Sequence, residues 1–301
     1  MTTPGICKRA GLLFPLLPLM VFHIFAGAQT AHSRAISPRE ISNLRSKANA
    51  GDSIAQFKLA ELLESGLGVP QDYTEAAAWY RKAADAGNAA AQNNLGAMYA
   101  LGHSVPADSK EAFHWYLRAA SEGFAAAQNN VGYMYSTGSG TLKDDRQALY
   151  WYQKSAAQAY PAALSNLAHL YGEGVSTSAT SSESSPVTLV VKDEQRALKL
   201  YRQAAELGYA PAQEMLGLLY FQGRGTQKSM PEAALWIRKA ADQGFPLAEN
   251  HLGFLYEHGF GVPQDLKESA RWYRAAAGHG VPEAIHNLEA VAGHLESQKR
   301  N

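Results

Sequence analysis

Apolar positions recur along this chain at intervals of three and four, and the blocks they form return every 36 residues. Counted from Ala55, offsets 0, 4, 7, 8 and 11 of each block carry the pattern. In the second block these are Ala91, Leu95, Met98 and Tyr99, closing at Gly102. That spacing puts the apolar set on one face of a helix, helix A. Blocks begin at Ala55, Ala91, Ala127, Ala163, Ala212 and Ala248, with a final half at Ala284. Offset 8 is Leu63 and then Tyr99, Tyr135, Tyr171, Tyr220 and Tyr256. Offset 11 is always glycine, from Gly66 to Gly259. Glycine there permits the left-handed turn that ends a helix.

A second helix, B, follows in each block. It opens on Asp72, Asp108, Asp144, Asp193, Ser229 or Asp265, and in all but the fourth block Glu or Gln stands three residues on. This is the capping-box pattern, in which both partners satisfy first-turn amides. The five tryptophans, Trp79, Trp115, Trp151, Trp236 and Trp272, lie 36 apart except where Leu200 replaces one and the fourth block carries 13 extra residues. Offset 24 places them on the inner face of helix B, so they read as core rather than as a sugar platform. Gly96, Gly132, Gly217 and Gly253 fall in mid-helix, where glycine costs about 1 kcal/mol against alanine. Close approach of a neighbouring helix would offset that cost. Ser37 to Glu40 forms a further capping box with proline at N1, and the helix it opens should cap the array. Ala284 to about Gly293 should cap the other end as a lone helix A, leaving residues 295–301 as a frayed polar tail.

The pattern A-x-x-x-L-G-x-x-Y-x-x-G-x-G-V-x-x-D, then A-x-W-Y-x-x-A-A-x-x-G, stands at Ala248 to Gly280. It resembles the Sel-1-like repeat family, relatives of tetratricopeptide repeats, whose own period of 34 fits less well. The resemblance covers residues 37–294, in repeats near 55–90, 91–126, 127–162, 163–211, 212–247 and 248–283 with the half at 284–293. It implies an all-α, right-handed superhelical α/α solenoid of about six 36-residue repeats with half-repeat caps. Helix A should line the concave side and helix B the convex side. It also implies a scaffold or adaptor that binds another protein or peptide.

On a concave helix A, the residues opposite the core stripe sit at offsets 2, 6 and 9. The candidates for partner binding are Asn93, Asn129, Tyr133, His169, Leu218, Phe221, Asn250 and Phe254. Asparagine can bond an extended peptide backbone, and apolar pockets can hold its anchors. A tight superhelix would instead pack these residues against the neighbouring repeat. The insertion, residues 176–191, holds a Ser/Thr run and then strand-prone Val187 to Val191. That stretch can add to a partner's sheet edge or fold back on the solenoid.

Residues 1–28 read as a secretory leader: Lys8 and Arg9, an apolar run from Gly11 to Phe25, and Ala26-Gly27-Ala28 before Gln29. The run is short for a membrane span and is broken by Pro15 and Pro18. A periplasmic or secreted protein is expected, without stable membrane insertion after cleavage. Cys7, the one cysteine, lies inside the leader, so the mature chain has no thiol chemistry. The 27 basic residues balance 27 acidic ones with no block of either sign, which argues against nucleic acid as a partner.

Catalytic signals are weak. No His-Glu-x-x-His run and no phosphate loop occurs, and Gly102-His103-Ser104-Val105-Pro106 lacks the closing glycine of a nucleophile elbow. His251 and His258, like His279 and His286, form pairs, where a metal needs three or four ligands. The reading is a monomeric scaffold, no enzyme, with no cofactor and no metal. The alternatives are an exported hydrolase acting on peptidoglycan or a β-lactam, and a regulator that sequesters a membrane sensor.

Overall fold

The computed structural model describes residues 36–103, 105–176 and 188–300. The leader lies outside them, and so does most of the insertion. The described residues divide into two compact units, one up to Gln158 and one from Ala159 onward. The N-terminal unit holds α1 (Pro38–Asn49), α2 (Ser53–Ser65), α3 (Tyr73–Asp85), α4 (Ala89–Leu101), α5 (Ser109–Ser121), α6 (Ala125–Thr137) and α7 (Asp145–Ala156). The C-terminal unit holds α8 (Pro161–Glu173), α9 (Glu194–Glu206), α10 (Ala210–Gln222), α11 (Met230–Ala241), α12 (Pro246–His258), α13 (Leu266–Gly278) and α14 (Pro282–Arg300). Six helix A–helix B hairpins result, with α1 before the first and α14 after the last. The expected all-α repeat class is what forms. Each helix A starts two residues ahead of the alanine that marks its block.

Helix A ends on glycine in the left-handed region at Gly66, Gly102, Gly138, Gly223 and Gly259. Every helix B is capped by its expected Asp or Ser, whose oxygen accepts from first-turn amides. The second half of the capping box forms only at Ser37 and Glu40. In the repeats the N-cap amide is already taken, because it donates to the offset-8 carbonyl of helix A: Asp72 N to Leu63 O at 2.9 Å, Asp108 N to Tyr99 O at 3.0 Å. The N3 acid is therefore released for other work. Glu75 accepts from Arg45 at 2.6 Å and from Trp79 Nε1 at 3.1 Å.

Packing within a hairpin depends on the mid-helix glycines. A Cβ on Gly96 would lie 2.9 Å from the Tyr116 ring, and one on Gly253 would lie 2.7 Å from the Tyr273 ring. Both tyrosines are fully buried. Trp79, Trp115, Trp151 and Trp272 are buried as expected, while Trp236 is half-buried. Successive hairpins are joined by a glutamine at offset 1, whose Nε2 donates to a helix B carbonyl eight residues back. Gln92 reaches Ala84 O at 3.2 Å and Gln213 reaches Ala205 O at 3.0 Å. They are also joined by loop glycines. A Cβ on Gly140 would lie 2.0 Å from Ser109 O, and one on Gly261 would lie 2.0 Å from Met230 O.

One expectation needs correction, and one open alternative closes. Helix α14 runs through Gly293 to Arg300, so residues 295–300, read as part of a frayed tail, are helical. Val291 is fully buried, and Leu288 and Leu295 pack beside it against Ala270 and Tyr273, which carries the helix past the glycine. The insertion's strand-prone run closes within the chain: β2 (Thr188–Val190) pairs antiparallel with β1 (Val175–Ser176). Val190 is buried there. Of the two readings, the described end of the insertion folds back on its own repeat.

Candidate functional site

The helix A face opposite helix B is less open than the sequence suggests. Asn93 and Asn129 are 7% and 8% exposed, Asn250 only 2%, and Leu218 7%. Two of these asparagines are held by the next helix A. Asn130 Nδ2 donates to Asn93 Oδ1, and Asn287 Nδ2 donates to Asn250 Oδ1, each at 3.1 Å. A helix A in mid-array touches a helix A on each side, so its buried surface spreads beyond one stripe. The alternative raised from the sequence holds for these four positions, which pack between repeats. At the same 37-residue step Glu214 and His251 replace the two asparagines, with Oε1 and Nδ1 2.9 Å apart and both side chains under 10% exposed.

Tyr133, His169, Phe221 and Phe254 remain half-buried, with part of each ring open to solvent. In the C-terminal unit two of them join a cluster at the helix A ends. Phe221 and Phe254 have ring centroids 6.3 Å apart, Phe260 lies 5.8 Å from Phe221 and 5.9 Å from Phe254, and His258 stacks on Phe260 at 5.5 Å. Lys228 Nζ sits 5.5 Å from the Phe221 ring. Phe260 was not among the candidates, because a loop position after Gly259 carries no helical phase, and His258 sits at offset 10, outside the offsets chosen.

His169 marks a feature the pattern did not reveal. It lines a cavity between α8, α9 and α10 with an empty volume of about 280 Å³, mouth included. The opening has a specific origin. In three other repeats the offset-9 residue of helix A meets the offset-25 tyrosine of helix B: Tyr80 Oη donates to Glu64 at 2.7 Å, Tyr273 Oη to Glu257 at 2.8 Å, and Tyr152 Oη lies 3.5 Å from Ser136 Oγ. In the fourth repeat offset 9 is Gly172, and the buried Tyr201 faces empty space. Its hydroxyl has no hydrogen-bond partner among the described residues. Offset 9 is Glu64, Ala100, Ser136, Phe221 and Glu257 in the other repeats, and glycine at this one position was the available signal.

Charge around this cavity is organised by Arg224. Its Nε contacts Glu194 Oε1 at 3.1 Å, and its Nη2 contacts Glu173 Oε1 at 3.3 Å and Gly172 O at 3.4 Å. Hydrogen bonds from Lys192 and then Arg224 hold the Glu194 carboxyl below its ordinary value. Burial holds the His169 imidazole low, with Glu173 pulling the other way. Burial pushes the Tyr201 hydroxyl up. In the N-terminal unit, burial and the neighbouring Glu64 raise the Glu61 carboxyl. Among the described residues no group of three or more His, Asp or Glu is placed to hold a metal, and no helix is long and apolar enough to cross a membrane.

The repeat pattern has counterparts among known proteins. The Sel1 repeat matches residues 53–88, 89–124, 125–160, 161–180, 188–209, 210–245 and 246–281. No protein of curated function matches the sequence. Among solved structures, a protective antigen present in uropathogenic Escherichia coli strains, displaying an SLR fold, is 30% identical with a TM-score of 0.71. It matches 85% of this chain, which spans only 52% of that protein. A Sel1 repeat protein from Oxalobacter formigenes is 29% identical over 79% of this chain and 90% of its own, with a TM-score of 0.68. An immunity protein from Pseudomonas aeruginosa shares the fold at 19% identity and a TM-score of 0.50, over 84% of this chain and 85% of its own. The repeat matches cover most of the chain, and the chain belongs to the Sel1 repeat family.

Proposed function

We propose that this protein is a non-catalytic scaffold, exported to the bacterial envelope and acting there by binding a peptide or protein along its helix A face. Sel1 repeat proteins are in general protein-interaction scaffolds. The leader-like residues 1–28 support export, to the periplasm or beyond. The observation that carries the binding reading is the half-exposed ring cluster of Phe221, Phe254, His258 and Phe260. Aromatic groups left partly open on an otherwise closed helical face are where interfaces concentrate their binding energy. Tyr133 holds the corresponding position in the N-terminal unit. Asn93, Asn129, Leu218 and Asn250 support the wall and do not touch the partner. No observation favours the hydrolase alternative.

Photo-crosslinking in the native envelope tests this. A benzophenone side chain at Tyr133, Phe221 or Phe254 is expected to give one discrete protein adduct. The same group at the exposed helix B positions Tyr150 and Leu235 is expected to give none. Adducts confined to the helix B positions would overturn the reading. N-terminal sequencing of the mature chain checks export, with Gln29 expected first.

A further inference from the structure

The ring cluster of the C-terminal unit has a charged edge. Phe221, Phe254 and Phe260 are half-buried, so each ring is held by the wall and still meets solvent. His258 lies 4.3 Å from Phe254 and stacks on Phe260, and its Nδ1 faces Phe254 O at 3.1 Å, which fixes it in the same surface. Lys228 stands at the border, in the loop before α11. Lysines that hold the same place in two other repeats pair with an acid two residues on: Lys143 with Asp145 at 3.4 Å, and Lys192 with Glu194 at 3.1 Å. In the fifth repeat that acid is replaced by Met230. Lys228 turns instead to the Phe221 ring, with Nζ 5.5 Å from its centroid. The other charges at this end of the helices are engaged. Arg224 and Lys192 stand against Glu173 and Glu194, Glu257 accepts from Tyr273 Oη at 2.8 Å, and Asp265 accepts from the first amides of α13. Lys228 is exposed, and among the described residues no carboxylate lies within ion-pair distance of it.

We propose that this surface reads an extended partner segment in which an aromatic or large aliphatic residue and an acidic residue stand two apart. The anchor lies on the Phe254 and Phe260 rings, and the carboxylate accepts from Lys228 Nζ beside Phe221. Side chains two apart in an extended segment point the same way and lie about 7 Å from each other. That step is close to the 5.8 and 6.3 Å that separate Phe221 from Phe260 and Phe254. A carboxylate meeting an ammonium over rings that exclude water from one side is attracted more strongly than in open solvent. A basic residue at the same place would be repelled. The inference rests on the groove-binding reading and gives it a chemistry: the partner segment over the fifth and sixth repeats carries an acid next to its anchor.

The test uses the full mature chain and the peptides acetyl-Gly-Asp-Gly-Phe-Gly-amide and acetyl-Gly-Phe-Gly-Asp-Gly-amide, followed by NMR on the His258 ring signals. Saturable shifts are expected from at least one order, with binding about tenfold weaker when its Asp is replaced by Asn or its Phe by Ala. Lys228→Gln is expected to bind the Asp and Asn peptides alike. Lys228→Glu is expected to prefer a peptide with Lys in place of Asp. Both substitutions fall on an exposed side chain, so an unchanged melting temperature is expected. Equal binding of the Asp and Asn peptides by the native chain, an undiminished preference for Asp in Lys228→Gln, or no saturable shift with either order would overturn the proposal. Shifts of the same signals on concentrating the free chain would also overturn it, by assigning the face to a second copy, and larger shifts with phosphatidylglycerol vesicles than with the peptides would assign it to lipid. Crosslinked adducts at Phe221 and Phe254 without a preference for Asp sink this inference alone, whereas loss of those adducts sinks the groove-binding reading beneath it.

Discussion

In the N-terminal unit the polar links between neighbouring repeats include amides: Asn130 on Asn93, and Gln158 on Gln128 at 2.9 Å. In the C-terminal unit the same 37- and 30-residue steps also carry Glu214 with His251 and Glu249 with His279, the latter at 2.8 Å. Its fourth repeat departs further, with Leu164 and Leu207 where the amide link would stand and Gly172 where an acceptor for tyrosine would stand. Backbone spacing is common to both units, and the difference lies in what the spacing holds. A repeat frame fixes where two side chains meet and leaves their chemistry open, so new sites arise by substitution at fixed meeting points. The cavity beside Tyr201 is one such product, and the buried Glu–His link is another.

The comparison can be broken or sharpened by substitution, read as shifts in urea unfolding of the full chain. Trp115→Ala is expected to cost about 4 kcal/mol, and Trp236→Ala roughly half as much, because Trp236 is only half-buried. Equal costs would mean that the two units pack their tryptophans alike. His251→Leu leaves the Glu214 carboxylate buried without its partner and is expected to cost about 3 kcal/mol. Asn130→Leu leaves only an amide, at about 1–2 kcal/mol. An asparagine pair built by changing Glu214 and His251 together should recover most of the first loss. Gly140→Ala and Gly261→Ala each push a Cβ into a backbone carbonyl from a left-handed conformation. About 2 kcal/mol is expected from each, alike in both units. Glu75→Gln has the smallest effect, under about 1 kcal/mol, since both it and Arg45 are more than a third exposed. Its size depends on pH. The Arg45 hydrogen bond holds Glu75 below its ordinary value, so the contribution is full above about pH 5 and is lost as pH falls through the folded value. Native and variant curves should converge in acid.

The frame was legible in the sequence because it rests on few residue types at fixed steps. Offset-11 glycines, the N-cap acids and the tryptophans each announce a local requirement that no other residue meets as well. The site was read less well. Opposition to the core stripe leaves exposure and packing between repeats both open, and Asn93 and Asn250 are held by the next helix A while Leu218 is buried. That burial is made between repeats, and the phase of a single helix does not encode it. Phe260 was missed for the opposite reason, since it lies in a loop without periodicity. The Gly172 cavity was missed because an absent side chain is visible only against the residues that occupy its place elsewhere.

The main-chain bond that closes each hairpin bears on how such a chain grows. Asp193 N still reaches Tyr171 O at 2.7 Å across 13 extra residues, the same junction that Asp144 N makes to Tyr135 O without them. The added length leaves this junction in place, and the entropy of a longer loop rises only slowly with its length. The junction between helix A and helix B is therefore a port where foreign sequence can be spliced in while the register of every later repeat stays as it was.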